Sequence, residues 1–321
     1  MQSSPRLAAL AVIGLGAAGV VGTGSAASAD LVTHCVGEAE GVTVPGDMLV
    51  PEGESCALQD VTVTGDVQVA AGADLMLSAS TVSGELALDS DAYLDAGDSA
   101  VEGDITSTDS FGMFVEQSQA ASVTVSAEEA TPYLYTFDSQ LSGAVDVSAG
   151  DVHIESTSIA GAVASGNTTF TDIIDSTLAA TLSVSGAGDG STICASEVDG
   201  AAAFQANTGP VQIGGAEDRQ VCTGMNYFGA DLAVAENTGG VDVSSNIVRG
   251  SLTGAGNDPA PTGEGNRVRG QLGGQFTELE PAAELRTMAR TAEVQDTMLS
   301  DRQDRQQSAK AAAAHAGPAN L

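Results

Sequence analysis

Four short strings in the first third of the chain repeat at a fixed interval, and this repeat constrains the fold more than any other feature. They share a glycine at one position and begin 19 residues apart: VPGDMLV (44–50), VTGDVQV (63–69), VSGELAL (82–88) and VEGDITS (101–107). After a less regular stretch around 121–123 the pattern returns as LSGAV (141–145), IAGAV (159–163), LAATL (178–182), VDGAA (198–202), VRGSL (248–252) and VRGQL (268–272). Self-similarity at such a period is the signature of a repeat architecture.

Within each repeat, apolar residues alternate with small or polar ones, which is the period of a strand with one buried face. A unit of this length cannot bury its own apolar side chains, so stacked units must bury them together. The sequence therefore predicts an all-β fold, a single-stranded parallel β-helix (β-solenoid) of about a dozen rungs. A two-sheet β-sandwich is the alternative, but its strands have no reason to repeat one side chain in one register.

A column of small polar residues precedes the repeats at a constant offset of two positions. Its members are Ser80, Ser99, Ser139, Thr157, Ser176, Ser196, Asn226, Asn246 and Asn266. Such side chains bond nearby backbone groups at turns, and equivalent side chains on stacked rungs bond one another. We expect a polar ladder along one corner of the solenoid.

Residues 1–29 have the pattern of a secretory signal peptide. One cation, Arg6, precedes an apolar run over 7–21, and small residues end at Ala29. A membrane anchor is the alternative, but the run is shorter than the ~20 residues that span a bilayer. We expect a mature chain that starts at Asp30, is secreted to the extracellular space and has no membrane span.

All four cysteines follow the predicted signal peptide, and an even number in an exported chain predicts two disulfides. Three pairings are open, of which the local ones need the least rearrangement: Cys35 with Cys56 and Cys194 with Cys222. Cys222 also lies in the one interval that is longer than the others, as expected of a loop fixed by a disulfide. A zinc site is disfavoured because there is no CxxC pair and the three histidines are scattered.

The repeat ends near residue 277, where glycine and strand alternation are lost. We therefore divide the mature chain into a β-helix over 30–277 and a C-terminal tail over 278–321, partly helical or disordered. Leu285, Met288, Ala292 and Leu299 would lie on one face of a helix. The tail would either cap the last rung or remain a mobile end.

The formal net charge is -33, from 10 Lys and Arg against 43 Asp and Glu. This excludes a protein that binds nucleic acid through a basic face. One acidic run supplies weak calcium candidates, since calcium prefers oxygen ligands: Asp89, Asp91, Asp95, Asp98 and Asp104. The run matches neither the EF-hand loop nor the calcium-binding nonapeptide repeat, and a solvated acidic surface is the alternative.

Enzymatic chemistry has little support in the sequence. A polysaccharide lyase needs cations to neutralise the carboxylates of its substrate. The repeats offer one small basic spot, formed by Arg249, Arg267 and Arg269. Surface salt bridges would equally explain these three arginines. A hydrolase needs two carboxylates about 5–10 Å apart, which so many acids do not single out. There is no Trp to form a sugar platform. No catalytic residue is assigned.

Several segments resemble the exported β-helix repeat proteins of actinobacteria, most of which are uncharacterised. The segments that carry the resemblance are VPEGESCALQDVTVTGDVQVAAGADL (50–75), 193–215, 221–252 and GNDPAPTGEGNRVRGQLGGQF (256–276). The resemblance implies a right-handed parallel β-helix and secretion, and it supplies no catalytic residues. Members of that family often carry cysteines at the positions of Gly254 and Phe276, so the disulfide that closes the last rung is absent here.

We therefore expect a secreted, non-catalytic β-helix with a structural or interaction role and an extracellular or cell-surface partner. The alternative is a polysaccharide-active enzyme, a lyase or hydrolase, with an acidic and calcium-assisted site. A third hypothesis is end-to-end self-association, because the open ends of a solenoid expose unpaired strand edges.

Overall fold

The computed structural model describes residues 32–215, 222, 224–281 and 290–321, with side chains from residue 299 onward in the last range. The predicted signal peptide lies outside the described residues. From residue 33 the chain winds into a parallel β-solenoid of about 12 turns, of the right-handed type, which confirms the predicted fold class. A single C-terminal helix follows the solenoid.

Each turn as far as Val248 contributes one strand to each of three parallel sheets, in the order A, B, C, and the turns beyond it have strands in sheets A and C. Sheet A has 13 strands: Thr33–His34, Met48–Val50, Val67–Val69, Leu86–Leu88, Ile105–Thr108, Val123–Ser126, Val145–Val147, Val163–Gly166, Leu182–Ser185, Ala202–Gln205, Leu232–Ala235, Leu252–Gly254 and Leu272–Gly274. Sheet B has 11 strands: Gly37–Glu40, Ser55–Gln59, Asp74–Ser78, Tyr93–Gly97, Gly112–Glu116, Tyr133–Phe137, Gly150–Glu155, Thr168–Ile174, Gly190–Cys194, Val211–Ile213 and Val241–Val243. Sheet C has 12 strands: Thr43–Val44, Thr62–Val63, Thr81–Val82, Ala100–Val101, Gln119–Ala120, Gln140–Leu141, Ser158–Ile159, Thr177–Leu178, Glu197–Val198, Tyr227–Phe228, Ile247–Val248 and Arg267–Val268.

The core is a continuous aliphatic column inside the three sheets. In sheet C, Val44 pairs with Val63 and Val63 with Val82, and the inward side chains of later turns continue this column to Val248. Sheets A and C show the alternation seen in the sequence, because their inward residues are buried and their outward residues reach solvent. The stretch around 121–123 is also a regular turn, in which Ser122 stands where other turns have glycine.

The glycine column is explained by close backbone approach between turns. A Cβ atom added to Gly84 would lie 2.6 Å from the carbonyl carbon of Gly65 in the turn below. No side chain fits such a distance, so the chain needs glycine there.

Aspartate and asparagine form many of the sharp corners, where the backbone is left-handed. Asp60, Asp98, Asp138 and Asp175 follow strands of sheet B with φ near +50°, and Asp109 precedes another such strand with φ +48°. Short polar side chains tolerate this conformation better than most others. Some of the aspartates are therefore explained by the left-handed backbone of these turns.

The predicted polar ladder is present. The Ser80 backbone N–H donates to Ser99 Oγ at 3.1 Å, and Asn246 Nδ2 donates to Asn266 Oδ1 at 3.0 Å. Ser118 is an additional member between Ser99 and Ser139 that was not predicted. A second ladder, which was not predicted, runs along the corner after sheet A through Asn207, Asn237 and Asn257 and ends at Gln275.

Both predicted disulfides are present, Cys35–Cys56 and Cys194–Cys222. The first joins the first two turns, and the second fixes the long interval, of which residues 216–221 and 223 lie outside the described part. At the other end of the coil the two positions that hold cysteine in the resembled family are neighbours. A Cβ atom on Gly254 would lie 2.9 Å from Cε2 of Phe276, whose ring is fully buried against the core. The aromatic ring thus fills the inside of the last turn beside Gly254.

The C-terminal helix, Arg290–Ala316, packs on the outer face of sheet B instead of capping the last turn. Its buried face carries Ala309 and Ala313, which contact Met76, whereas Leu299 is 40% exposed. The apolar face predicted through Leu299 is therefore wrong at that residue; the side chains of the other three predicted members lie outside the described residues. No helix in the described ranges is long and apolar enough to cross a membrane.

The C-terminal segment pairs with both ends of sheet B. Glu280 forms a parallel bridge with Thr262 at the last turns, and Pro318 forms one with Glu38 in the first strand of the sheet. Around the second bridge, the Ala319 N–H donates to the Glu38 carbonyl at 2.7 Å. We call the described residues of this segment, 280–281 and 290–318, the strap. It covers strand edges that would otherwise be unpaired.

Candidate functional site

The outer face of sheet B differs from those of the other two sheets because its outward side chains are also buried. Leu94 points into the core, while Tyr93 and Asp95 on either side of it point outward, and all three are buried. The strands Gly112–Glu116 and Tyr133–Phe137 repeat this pattern. An outward face becomes buried only when something packs on it, and here the C-terminal helix does so at the Tyr93 and Phe114 turns.

This face holds most of the aromatic side chains of the protein. Three of the 4 tyrosines and four of the 7 phenylalanines form one cluster outside the core, which we call the aromatic face: Tyr93, Phe111, Phe114, Tyr133, Tyr135, Phe137 and Phe170. Tyr133 stacks on Tyr135 with ring centres 4.4 Å apart, and Phe111 meets Tyr133 edge-on at 5.5 Å. Aromatic residues concentrated away from the core are typical of a binding surface.

A row of outward residues runs along the face in strand register. Asp95 pairs with Phe114, Phe114 with Tyr135, Tyr135 with His153 and His153 with Asp172. His153 is buried, and its Nε2 lies 2.9 Å from Glu155 Oε2. This hydrogen bond lowers the pKa of Glu155 from its ordinary value of 4.5.

The tyrosines of the face are neutral. Burial raises the pKa of Tyr93, Tyr133 and Tyr135 far above the usual value for a phenol. Nearby carboxylates raise the pKa of Tyr93 and Tyr135 further, because a phenolate beside an anion is unfavourable. At physiological pH these side chains therefore offer hydroxyl groups and ring faces.

Two arginines of the C-terminal helix bind the aromatic face. The guanidinium carbon of Arg302 lies 3.1 Å from the centre of the Phe114 ring, and its Nε lies 3.3 Å from Asp95 Oδ2. Arg305 lies 4.9 Å from the Phe111 ring centre, with its Nε 2.7 Å from Asp74 Oδ1. Each arginine also reaches a second carboxylate, Glu116 at 3.7 Å or Asp91 at 3.6 Å. Each cation thus combines one ring with two carboxylates.

Next to Arg305 the aromatic face opens into a cavity of about 760 Å³, which we call the acid–aromatic cavity. Its lining consists of rings, hydroxyls and carboxylates: Ser90, Asp91, Asp109, Ser110, Phe111, Glu128, Glu129, Ala130, Thr131, Tyr133, Tyr135, Asp151, Thr169, Phe170, Asp189 and Asp301. None of these described lining residues is basic. The cavity therefore presents a strongly negative, aromatic environment.

One wall of the cavity is held in place by a carboxylate. Asp109 Oδ1 accepts backbone N–H groups from Glu128 at 2.7 Å, Glu129 at 3.1 Å and Ala130 at 3.4 Å. These bonds, that of Glu129 first, lower the pKa of Asp109. The loop that bears Glu128 and Glu129 is thereby fixed at the cavity rim, and Asp109 itself stays ionised.

The calcium candidates do not share one site. Asp95 and Asp91 bind Arg302 and Arg305. Asp89 accepts from Gln68 Nε2 at 3.1 Å, Asp104 accepts the Ser122 N–H at 3.1 Å, and Asp98 forms a left-handed corner. Among the described residues no group of three or more His, Cys, Asp and Glu side chains is arranged to hold a metal ion.

The predicted basic spot lies along sheet C, away from the aromatic face. Arg267 is in the last strand of that sheet, opposite Ile247, and Arg249 Nη1 donates to the Tyr227 hydroxyl at 3.3 Å. Arg249 and Arg269 follow successive strands of sheet C in equivalent positions. The aromatic face itself was not predicted; the signal available was the concentration of Tyr and Phe between residues 93 and 137.

Comparisons with known proteins add no relative. The chain matches no protein-family model, and neither the curated proteins nor the solved structures give a match. The functional argument therefore depends on the geometry described above.

Proposed function

We propose that this protein is a secreted, non-catalytic β-helix that binds a partner outside the cell through the aromatic face of sheet B. The observation that carries the proposal is the position of the aromatic side chains. A solenoid core built mainly from Val, Leu and Ile does not need them, yet they are gathered on an outer face beside an open cavity. Concave sites lined by rings with a few polar groups are the usual form of ligand sites.

Export is part of the same proposal. Two disulfides fit an oxidising compartment, and residues 1–29 fit a signal peptide. The resemblance to exported actinobacterial β-helix proteins favours the same location, with an extracellular or cell-surface partner.

The chemistry of the cavity favours binding over catalysis. Its tyrosines are held neutral by burial, and Asp109 is held ionised by three backbone N–H groups. General acid–base catalysis needs groups that exchange protons near the working pH. Among the described lining residues there is no histidine or cysteine to act as base or nucleophile.

The test is a search for products. The mature protein is incubated with acidic, neutral and basic polysaccharides, with and without calcium, and reducing ends and unsaturated products are measured against heat-denatured protein. We expect no release above this control. Product that the wild-type protein releases and the Asp151→Asn variant does not would overturn the proposal.

The alternative is a polysaccharide-active enzyme, and one observation favours it. Asp109 and Asp151 line one cavity whose floor is aromatic, and a glycosidase needs paired carboxylates beside a sugar-binding surface. Calcium assistance belongs to this alternative. A rise in thermal stability with calcium at constant molecular mass would support it, because a ligand that binds only the folded state stabilises that state.

End-to-end self-association is disfavoured at sheet B. Bridges to Glu280 and Pro318 occupy the two ends of that sheet, and paired edges do not recruit further strands. A molecular mass in solution that stays constant with protein concentration is the expected result.

A further inference from the structure

The protein itself shows which chemistry its aromatic face accepts. Arg302 and Arg305 of the C-terminal helix bind there, each with a ring on one side and carboxylates around its edge. A guanidinium group suits such a site because its face is attracted to a ring quadrupole while its N–H groups bind carboxylates. The aromatic face is thus a surface for organic cations, and the strap fills two positions on it.

The acid–aromatic cavity repeats this arrangement beside Arg305. Phe111 and Asp91, which contact Arg305, also line the cavity. Beyond them the stacked rings of Tyr133 and Tyr135 continue the aromatic floor. Carboxylates stand around these rings on three different elements: Asp109 and Asp189 before strands of sheet B, Glu128 and Glu129 on the fixed loop, and Asp301 on the helix.

Tyr133 offers its ring rather than its hydroxyl to a ligand. Its side chain is 7% exposed and lines the cavity, and its hydroxyl lies next to the Tyr93 hydroxyl, which donates to Asp95 Oδ2 at 2.7 Å. The two hydroxyls are thus engaged within the protein, and the ring face is what a ligand would contact.

We propose that the acid–aromatic cavity binds an organic cation with a guanidinium or ammonium head group, seated on the Tyr133 and Tyr135 rings among the rim carboxylates. The inference rests on the proposed function and names its ligand class. The head group belongs either to an Arg or Lys side chain of a peptide or to a free small cation. The carboxylates of the lining repel anions.

The experiment is a calorimetric titration of the mature protein with three probes. The first is a capped tripeptide with a central arginine, the second is the same peptide with citrulline, and the third is butylguanidinium. Citrulline keeps the size of arginine and removes its charge. We expect the arginine peptide to bind at least tenfold more tightly than the citrulline peptide and to weaken as salt is raised.

Three variants locate the binding. Tyr135→Leu removes a ring, and Glu129→Gln with Asp189→Asn removes two rim charges; each is expected to weaken binding at least fivefold. Asp146→Asn removes a charge from the exposed face of sheet A. This variant controls for the effect of the protein's overall negative charge on cation binding. Circular dichroism and unfolding of each variant confirm that it is folded.

The outcomes separate the two claims. Binding of butylguanidinium as well as the peptide identifies a free head group as sufficient, and binding of the peptide alone identifies a peptide side chain; both support the inference. Equal binding of the citrulline peptide, or unchanged binding in the cavity variants, overturns it. If neither the arginine peptide nor butylguanidinium binds, the inference is overturned. If the polysaccharide test also releases no product, the proposed binding function stands with another class of ligand. Product release overturns that function whatever the cations do.

Discussion

Arg302 lies over Phe114, with 3.1 Å between the guanidinium carbon and the ring centre, and it shares Asp95 with the Tyr93 hydroxyl and Gln306. These contacts join the C-terminal helix to the solenoid through polar groups that are largely shielded from water. Removing one member leaves the others buried without their partner, which costs more than the contact itself contributes.

We predict that Arg302→Ala lowers the free energy of unfolding by about 2–4 kcal/mol, because Asp95 loses its cation while it remains buried. Arg302→Lys keeps the charge but not the planar group and is expected to lose about half as much. Denaturant unfolding followed by tyrosine fluorescence measures both. Wild-type stability in Arg302→Ala would show that the arginine does not hold the helix.

Two adjacent alanines of the same helix allow a matched comparison. Ala313 is fully buried near Met76, whereas Ala312 is exposed. Ala313→Leu adds atoms to a filled contact and should lower the free energy of unfolding by about 1–3 kcal/mol. Ala312→Leu should change it by less than about 0.5 kcal/mol. Equal effects on the thermal midpoint would contradict the packing of the helix on sheet B.

Asn237 is the centre of the second ladder, and its replacement by alanine should be severe. Its side chain accepts from Asn207 Nδ2 at 2.8 Å and donates to Asn257 Oδ1 at 2.9 Å. Asn237→Ala leaves these buried groups unsatisfied, with an expected loss of about 3–5 kcal/mol. Thr238→Ala, at the exposed neighbouring position, is the control. A loss below about 1 kcal/mol in urea unfolding would indicate that water replaces the ladder.

Glu155 should contribute a small pH-dependent stability. Its pKa is lowered in the folded state by the hydrogen bond from His153, so its contribution is complete above 4.5 and disappears as the pH falls through the folded pKa. Since the carboxyl is 38% exposed, we expect less than about 1 kcal/mol. Glu155→Gln should be less stable than wild type at pH 7, and the two should converge in acid. Urea midpoints across this range measure the difference, and Glu102→Gln is the control; a constant gap would argue against the assignment.

The sequence was most informative where the repeat has a geometric cause. Gly65, Gly84 and Gly103 have to be glycine because successive turns touch there, so their 19-residue spacing predicted the coil. Ser118 lies at the regular distance of 19 residues from Ser99, but it was missed because the repeat that follows it has Ser122 in place of the marker glycine. The local cysteine pairing followed from short separations along the chain.

The aromatic face was not predictable in the same way. Strand alternation tells which residues point outward, but it does not tell which outward face another segment covers. Tyr93 and Asp95 occupy ordinary outward positions, and the return of residues 302–306 over this face contributes to their burial. The apolar pattern of the helix does not indicate this packing, because its described contacts with the aromatic face include the charged side chains of Arg302 and Arg305.

The bridges of the strap to Glu38 and to Thr262 change how such an array comes apart. A stack of turns that touch only their neighbours behaves as a zipper, and it frays from either terminus one turn at a time. Here the first turn cannot open until the bridge between Glu38 and Pro318 has separated, so this bridge acts as a latch on that turn. Loss of the latch is expected to come before fraying of the first turn, and hydrogen exchange of that turn measures it.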